Sequence, residues 1–529
     1  MTPIAPPHVE YALIAPILIV SGGAVLGTLA EAFVPRQRRF SVQALIAFAT
    51  VLATLADSIY VYAGLPRVGN AGRGRIATEG ALAVDGPGVL TWAMLSVFAV
   101  LSLALFAERR LESGLSAFTG RAADAPGSPG EAEARAARLE HSEVFPLALF
   151  ALLGMMVFAT ANDLLTLFVA LEVLSLPLYV LCGLARRRRL LSQEAALKYF
   201  LLGAFSSAFF AYGIALAYGY AGGVRLADID RAVQAGANGQ PLLLAAIALM
   251  AVGLLFKIGA VPFHAWTPDV YQGSPTPVTA FMAAGTKAAA VIALMRVLFV
   301  AFGGASSEWR PLLWGIAVVT MLLGSLVAIA QTDVKRMLGY SSVAHAGFLL
   351  VGITGAFAAA GRVSSVSAVL FYLAVYGVAS IGAFAVVTLV RDSADRGGGE
   401  ANHLARWAGL GQKSPLLAGA FALFLLSFAG IPLTSGFIGK MAVFSTALNG
   451  GYWPLVVIAV MASAVAAYFY ARVIVLMFFT EPVGDGPDVA ARSPLTTVVI
   501  GAAALVTLVL GLIPGPALEF AQHAGLFVG

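Results

Sequence analysis

Long apolar stretches separated by short polar segments dominate the pattern of this chain. Fourteen of these stretches are long enough to cross about 30 Å of hydrocarbon as helices. They lie near residues 11–33, 41–63, 87–107, 144–161, 163–184, 198–221, 242–262, 276–303, 310–330, 336–357, 365–391, 415–448, 452–480 and 495–515. The pattern therefore predicts an all-α polytopic membrane protein.

The polar segments divide the chain into five predicted parts. These are three membrane helices in 1–107, a loop with a short surface helix in 108–143, two sets of five helices in 144–305 and 306–480, and a loop with a last helix in 481–529. Because five is odd, the second set starts from the other face of the membrane. Any repeat between the two sets is therefore inverted.

The fourth helix of each set carries a glycine and a proline where the helix should break. The first break runs from Gly259 to Pro262, and the second runs from Gly430 to Pro432. Proline lacks a backbone donor and clashes with the preceding turn. An opened backbone inside a membrane is tolerated only where it is buried in protein or lines a water-filled cavity. Paired breaks in two matching halves indicate a transport pathway.

The composition excludes several classes of protein. The 529 residues are 60% apolar and only 11% charged, and the mean hydropathy is +0.89, which excludes an ordinary water-soluble enzyme. The net charge of +5 is scattered rather than gathered on one stripe, so we expect no nucleic-acid partner. The single cysteine, Cys182, excludes an internal disulfide, a Cys-ligated iron–sulfur cluster and a Cys-rich zinc site. We expect no metal and no cofactor on this chain.

The loop charges predict an orientation. Nineteen lysines and arginines fall in one alternate set of loops, which includes 108–143, and seven fall in the other set. Cytoplasmic loops carry the excess of these residues. We therefore expect a multi-pass protein of the bacterial inner (plasma) membrane with both termini on the outer, periplasmic side. The first apolar run has no basic segment before it, so we interpret it as a retained helix and not a cleaved signal peptide.

Four ionisable residues lie where the membrane should be driest: Glu172, Lys257, Lys287 and Lys440. A charge at the bilayer centre costs roughly 2.5–3.5 kcal/mol on insertion scales, so such residues usually face a bundle interior and serve transport. Three lysines cannot all be neutralised by one glutamate. Some must therefore be neutral, hydrated or exchanging protons. His345 lies among hydroxyl residues, and both a proton relay and a static hydrogen-bonding role remain open for it.

Other cations have simpler interpretations. Lys198, Lys335 and Arg336 border helix ends, where a cation can reach lipid headgroups, although Lys198 remains a possible proton-transfer residue. Arginine cannot deprotonate in a protein. We therefore interpret Arg296 and Arg472 as helix anchors or field-setting charges.

Five sequence motifs resemble those of a known family. The segment 255–287 reads LFKIGAVPFHAWTPDVYQGSPTPVTAFMAAGTK, and it is supported by NDLLTLFVALEVLSLPLYVL at 162–181, ALKYFLLGAFSSA at 196–208, DVKRMLGYSSVAHAGF at 333–348 and GIPLTSGFIGKMAVF at 430–444. Together they resemble the antiporter-like membrane subunits of respiratory complex I, the proton-translocating NADH:quinone oxidoreductase. Within that family the chain looks like the N type, which corresponds to the mitochondrial ND-two type. The M type usually has Glu where this chain has Lys440, and no lateral helix of the L type follows residue 515.

The resemblance implies a non-redox subunit of that enzyme. Glu172 and Lys257 would form the coupling ion pair, Lys287 would be the central relay with His345 nearby, and Lys440 would exchange the proton toward the outside. NADH, FMN, the iron–sulfur clusters and quinone would belong to partner subunits. The partners would be M-type, L-type and small membrane subunits in the lipid bilayer.

Two other functions stay open at this point. The same fold resembles subunits of multisubunit sodium/proton antiporters, so a secondary antiporter subunit is the main alternative. The chain could also be a passive scaffold in which the buried charges only fix helix packing.

Overall fold

The computed structural model describes residues 9–528 apart from 69–71, 112–114, 126–127, 138, 237–238, 356–363, 393–398, 483–485 and 491–492. Among these residues the helices are α1 Tyr11–Phe33, α2 Arg36–Gly64, α3 Gly86–Ala107, α4 Pro129–Ala136, α5 Val144–Thr160, α6 Leu164–Cys182, α7 Arg189–Ala221, α8 Leu226–Gln234, α9 Gln240–Ile258, α10 Trp266–Gly273, α11 Thr276–Arg296, α12 Ser306–Ile329, α13 Val334–Thr354, α14 Ser365–Leu389, α15 Leu410–Lys413, α16 Pro415–Ala429, α17 Ser435–Asn449, α18 Trp453–Phe479, α19 Pro494–Leu512 and α20 Gly515–His523. The strands are β1 Arg67–Val68, β2 Gly72–Ala77, β3 Leu82–Asp85, β4 Val390–Asp392 and β5 Pro487–Val489.

The helices confirm the predicted polytopic all-α architecture. Twelve helical segments of the described chain are long and apolar enough to cross a membrane, and two shorter apolar helices, α5 and α16, accompany them. These fourteen match the fourteen predicted apolar stretches. The stretch predicted as one helix over 415–448 is divided into α16 and α17. The short helix predicted in the 108–143 loop is α4. The two small sheets, β1–β2–β3 and β4–β5, were not predicted.

Backbone pairing between loops assigns them to two faces of the bundle. On one face Phe118 pairs with Ala185, Asp333 with His403, and β4 with β5. We call this side the basic face. It holds the described residues of 108–143, 183–189, 330–333 and 390–413. On the opposite face Leu82 pairs with Ala161, Asp163 with Arg225, and Gly72 with Leu526.

Both ends of the described chain lie on the opposite face. The Glu10 carboxylate accepts a hydrogen bond from the Thr78 amide at 3.0 Å, and Leu526 pairs with Gly72. Between Glu10 and Leu526 the chain therefore crosses the bundle an even number of times. The side of the membrane on which this face lies remains a prediction.

The two five-helix sets share one local hydrogen-bonding pattern. At the start of α6, the Leu164 amide donates to Val224 at 3.0 Å and the Leu226 amide donates to Asn162 at 3.1 Å. At the start of α13, the Val334 amide donates to Asn402 at 2.8 Å and the Leu404 amide donates to Thr332 at 2.7 Å. In each set the aspartate before the helix, Asp163 or Asp333, caps its first turn.

These matching patterns lie on opposite faces, because residues 162–164 and 332–334 are on different sides of the bundle. This is the arrangement expected of an inverted repeat. The domain limits at 144–305 and 306–480 remain predictions, since they were drawn from the sequence pattern.

Both predicted helix breaks are present and end in the same way. The helix α9 ends at Ile258, and Gly259 follows with φ +81°; α16 ends at Ala429, and Gly430 follows with φ +80°. This left-handed conformation suits glycine, which has no Cβ. The glycine amides and those of the next residues, Ala260 and Ile431, bond back to the last turn of their helices. The chain then continues as α10 in the first set and α17 in the second.

Three helices form the centre of the bundle. In a membrane-length segment of 18 residues, 89% of the residues are buried in α11 with its continuation to Ala301, and 94% are buried in α13 and in α14. The corresponding share is 33% in each of α2, α7 and α19. The central helices therefore contact protein on all sides, and the peripheral ones expose apolar side chains. Polar groups on α11, α13 and α14 are accordingly far from lipid. Two of the predicted site residues, Lys287 on α11 and His345 on α13, lie on these central helices.

Candidate functional site

Four predicted site residues are buried in the interior of the bundle. Lys257, Lys287 and Lys440 are each 3% exposed and His345 is 2% exposed. They lie on α9, α11, α17 and α13, so both five-helix sets contribute. Glu172, on α6, is half-buried. The lysines are held by hydroxyl groups and backbone carbonyls.

Lys257 lies in the last turn of α9, two residues before the first break. Its Nζ donates hydrogen bonds to Ser175 Oγ at 2.8 Å and to the Tyr199 hydroxyl at 3.3 Å. It also faces the rings of Tyr199 and Tyr179, at 5.0 and 5.8 Å from their centroids. Aromatic faces attract cations. The Lys257 ammonium is thus solvated by protein groups that carry no formal charge.

The predicted ion pair between Glu172 and Lys257 is not formed as a direct contact. Among the described residues no ion pair within 4 Å includes Glu172, and its buried Oε1 has no hydrogen-bond partner. Ser175, one turn further along α6, holds the ammonium instead. Glu172 thus lies one helical turn from the serine that holds Lys257, without contacting the lysine itself.

Lys287 lies in the middle of α11. Its Nζ donates to the backbone carbonyl of Ser342 on α13, and it faces the Tyr376 ring at 5.7 Å. In the described part of the chain, no carboxylate lies within ion-pair distance of this ammonium. The contact places Lys287 against the turn of α13 that precedes His345.

Three tyrosines surround His345. Its Nδ1 is 2.7 Å from the Tyr372 hydroxyl, its Nε2 is 3.4 Å from the Tyr470 hydroxyl, and its ring centroid is 4.5 Å from that of Tyr376. The Tyr470 hydroxyl is also bonded to Ser341 Oγ. Both ring nitrogens of His345 therefore face groups that donate and accept hydrogen bonds.

Lys440 lies one turn into α17, after the second break. Its Nζ donates to the carbonyls of Phe428 at 2.8 Å and Ala429 at 3.0 Å, and to Ser463 Oγ at 2.7 Å. The two carbonyls belong to the last turn of α16, where the break leaves them without helical partners. The negative end of the α16 dipole stabilises a cation at this position. The second break thus builds the Lys440 site.

Lys198 lies apart from the three buried lysines Lys257, Lys287 and Lys440, and its side chain is 42% exposed. Its Nζ bonds to Asp269 at 2.8 Å and to Glu194 at 2.7 Å, and Asp269 also pairs with Arg336. The predicted headgroup contact is therefore replaced by ion pairs within the protein. Lys335, unlike Lys198, is buried. It is 5% exposed and donates to the Ser274 carbonyl at 3.0 Å.

The two arginines behave as anchors. Arg296 forms a bidentate ion pair with Asp85, at 2.7 and 2.8 Å, and both side chains are fully buried. Arg472 donates to the Ile329 carbonyl at 2.8 Å. These contacts join separate elements of the bundle.

Sequence reasoning missed the hydroxyl partners of the site. They are Ser175, Tyr199, Tyr372, Ser463 and Tyr470, contributed by α6, α7, α14 and α18. Tyrosine inside an apolar span was the available signal. It does not tell which tyrosines face the interior. Among the described residues, no group of three His, Cys, Asp or Glu side chains is arranged to bind a metal ion.

Comparison with known proteins identifies the family of this chain. The family model described as "NADH:quinone oxidoreductase/Mrp antiporter, TM" matches residues 161–466. NADH-quinone oxidoreductase subunit N of Nocardioides sp. is 58% identical, over 99% of this chain and 99% of its own length. The subunit N of Acidothermus cellulolyticus is 54% identical, over 99% and 97%.

Solved structures give the same result. A chain of respiratory complex I from Thermus thermophilus with bound aureothin is 33% identical, with a TM-score of 0.74, and the match covers 97% of this chain and 100% of that one. A chain of the Mrp complex from Dietzia sp. has a TM-score of 0.77 at 22% identity, covering 97% and 96%. The second match is a likeness of fold.

The fold and the buried lysine row define a membrane protein of the antiporter-like class. By the family model and its full-length relatives, the chain belongs to the NADH:quinone oxidoreductase/Mrp antiporter family, and within it to the N-type subunits of NADH-quinone oxidoreductase. The sequence-based assignment to a membrane subunit of this enzyme is therefore confirmed.

Proposed function

We propose that this chain, as the N-type subunit of NADH:quinone oxidoreductase, moves protons along Glu172, Lys257, Lys287, His345 and Lys440. One observation carries the proposal. Within the membrane-spanning region, Lys257, Lys287 and Lys440 bond to hydroxyls and carbonyls, whereas Arg296 bonds to a carboxylate. The chain therefore contains two chemically different kinds of buried cation.

The difference matters because of what each partner permits. A carboxylate partner stabilises only the charged form of a lysine. A hydroxyl accepts from an ammonium group and donates to a neutral amine, so it satisfies both protonation states. Ser175 and Tyr199 at Lys257, and Ser463 at Lys440, are partners of this kind. Such sites allow a proton to leave and return without an unsatisfied polar group.

His345 connects the two later lysines. It lies three residues after Ser342, whose carbonyl accepts from Lys287, and its ring centroid is 5.5 Å from that of Phe428, whose carbonyl accepts from Lys440. Tyr372 and Tyr470 extend the hydrogen-bonding groups on either side of the imidazole. Water between these groups completes the transfer path in this proposal.

Glu172 acts as the switch at the start of the row. Its carboxylate lies one turn from Ser175, and its Oε1 has no hydrogen-bond partner. Movement of this side chain toward Lys257 favours the charged lysine, and movement away favours release of the proton. Energy from quinone reduction elsewhere in the complex drives that movement.

The assembly and orientation are part of the proposal. M-type, L-type and small membrane subunits are the partners, and NADH, FMN, iron–sulfur clusters and quinone are bound by partner subunits. The basic face, which includes four consecutive arginines at 186–189, is cytoplasmic by the rule for loop charges. Both termini are then on the outer side of the plasma membrane, and Lys198 belongs to a structural ion-pair cluster.

The test uses the whole complex in inverted membrane vesicles. Lys257→Met removes the amine but keeps an unbranched apolar side chain, and Lys413→Gln, an exposed lysine of the basic face, is the matched control. We measure assembly, NADH:quinone reductase activity and NADH-driven acidification. We expect the Lys257→Met complex to assemble and to lose proton pumping with most coupled turnover, whereas Lys413→Gln resembles wild type.

Two results would overturn the proposal. Full pumping by assembled Lys257→Met would remove this lysine from the path. Sodium-dependent proton exchange without NADH, lost in the same variant, would assign the chain to the antiporter alternative.

A further inference from the structure

A cavity of about 800 Å³ opens on the basic face, where the two five-helix sets meet. It is bounded by the loop that follows α6, the α10–α11 connection, the start of α13, and the residues Gly399, Glu400 and Asn402. Part of its wall comes from the 108–143 loop, which contributes Ala117 and Glu131. None of the residues that line the cavity belongs to the row of buried lysines formed by Lys257, Lys287 and Lys440.

Two buried arginines fix the 108–143 loop beside this cavity. Arg186 donates to the carbonyls of Ser116 at 2.8 Å and Leu139 at 3.2 Å. Arg189 donates to Thr119 Oγ1 at 3.1 Å and to the Ala122 carbonyl at 2.9 Å. These charge-assisted bonds hold both ends of the loop against the α6–α7 connection. The loop is therefore a built wall of the cavity.

A carboxylate and an ammonium line the cavity side by side. Glu400 Oε2 accepts a hydrogen bond from Thr276 Oγ1 at 2.7 Å. Lys335 Nζ donates to the same hydroxyl at 3.2 Å and is 3.7 Å from Glu400. Thr276 begins α11, the helix that carries Lys287. The cavity therefore reaches the first turn of the helix that bears the central lysine.

Polar groups continue from that turn toward Lys287. One turn along α11, Thr279 Oγ1 donates to the Tyr271 carbonyl at 3.3 Å. The Tyr271 hydroxyl is 3.4 Å from Ser342 Oγ, and the Ser342 carbonyl accepts from Lys287. Lys287 lies eleven residues after Thr276, which is about 16 Å along an α-helix. These buried groups otherwise lie among apolar side chains.

We propose that this cavity is the proton-uptake chamber of Lys287 and that Glu400 is its proton-collecting carboxylate. The inference rests on the proposed function and adds its entry point. Water in the chamber delivers a proton to Glu400, which passes it through the Thr276 hydroxyl toward Tyr271 and Ser342. Each transfer moves one proton from a carboxyl, hydroxyl or water oxygen to the next group, and each hydroxyl that accepts a proton gives up its own. In this proposal water joins the Thr276 hydroxyl to the Tyr271 hydroxyl, and water joins the Ser342 hydroxyl to the Lys287 amine, which takes up the last proton.

The cavity lining carries charges of both signs. Arg186 and Arg189 donate to loop carbonyls, Lys335 donates to the Ser274 carbonyl, and Arg188 lies 3.9 Å from Asp333. Arg187 and the carboxylates of Glu131, Asp392 and Glu400 line the same space, and of these carboxylates Glu400 is the one bonded to Thr276.

The test compares Glu400→Gln with Asp392→Asn in the assembled complex in inverted vesicles. Both changes remove one carboxylate from the cavity lining, but Asp392 is not hydrogen-bonded to Thr276. NADH-driven acidification and NADH:quinone reductase activity are measured across a pH series. We expect Glu400→Gln to lower the pumping rate by about tenfold, most steeply at alkaline pH where protons are scarce. Glu400→Asp should restore part of the rate, and Asp392→Asn should match wild type.

Lys287→Met in parallel separates the two proposals. If Lys287→Met abolishes pumping while Glu400→Gln and its pH profile match Asp392→Asn, the chamber is wrong and the proposed function stands. If Lys287→Met also pumps normally, the proposed function fails. Where Glu400→Gln does not assemble, Thr276→Val against Thr276→Ser gives the same test, because only serine keeps the hydroxyl. Equal pumping by these two variants would overturn the chamber.

Discussion

The Lys257 ammonium donates a hydrogen bond to the Ser175 hydroxyl at 2.8 Å, and that serine lies one helical turn from Glu172. Ser175 is therefore the residue of α6 that bonds to the ammonium, whereas Glu172 Oε1 has no hydrogen-bond partner. The hydroxyl can bond to either form of lysine. This geometry leads to the first prediction.

Ser175→Ala removes that intermediate hydroxyl. A hydrogen bond to a charged group contributes about 1.5–3 kcal/mol. We therefore expect the charged form of Lys257 to lose this stabilisation and pumping to fall severalfold. The matched control is Ser96→Ala, because Ser96 is also buried and bonds only to its own helix, at Trp92 O. Proton pumping per NADH oxidised is the measurement. Equal ratios in the two variants would contradict the role of Ser175.

Lys440→Arg separates proton transfer from static charge. Arginine keeps the positive charge but does not release its proton in proteins. We expect the variant complex to assemble, because the α16 carbonyls still accept hydrogen bonds, and to lose pumping. Acidification of inverted vesicles and the amount of assembled complex are measured together. Normal pumping by Lys440→Arg would support the passive-scaffold alternative.

Tyr372→Phe removes the hydroxyl at 2.7 Å from His345 Nδ1 and keeps the ring. We expect slower transfer between Lys287 and Lys440, and therefore a lower pumping rate with little change in assembly. Tyr468→Phe is the control, since this tyrosine is 61% exposed. The steady-state acidification rate is compared between the two variants. A rate for Tyr372→Phe equal to that of the control would exclude the hydroxyl from the path.

Gly430→Ala tests the second helix break. Gly430 has φ +80°, and a Cβ at this position would lie 2.9 Å from Lys440 Cδ. We expect a loss of stability of about 1 kcal/mol or more together with a displaced Lys440. Gly419→Ala, on α16 with no atom within 4 Å of the added Cβ, should be neutral. We measure the thermal stability of the purified complex and its proton pumping. Equal stability and equal pumping in Gly430→Ala and Gly419→Ala would contradict the role given to the second break.

Asp85→Asn tests the Arg296 anchor. The change leaves a fully buried guanidinium without its carboxylate, which typically costs about 3–5 kcal/mol. We expect a large drop in the amount of assembled complex and in its thermal stability. Asp228→Asn, at a partly exposed ion pair with Arg231, should have little effect. Wild-type stability of Asp85→Asn would show that the pair is not the anchor described here.

The sequence alone determined the class, the helix count and the residues of the row. Apolar stretches of membrane length are a one-dimensional signal, and an ionisable residue inside such a stretch identifies itself. Glycine and proline at 259–262 and 430–432 likewise located both breaks, because their backbone preferences are local. The family assignment rested on contiguous motifs.

Only the tertiary structure decided what each lysine contacts. Ser175, Tyr199, Tyr372, Ser463 and Tyr470 come from helices far away in the sequence, and helix rotation determines which side chains face inward. For the same reason the sequence paired Glu172 directly with Lys257, whereas the side chains place Ser175 at the ammonium. The cavity at Glu400 depends on five separate segments meeting on one face. Local pattern fixes which residues are buried in a membrane bundle, but the packing of helices fixes which of them meet.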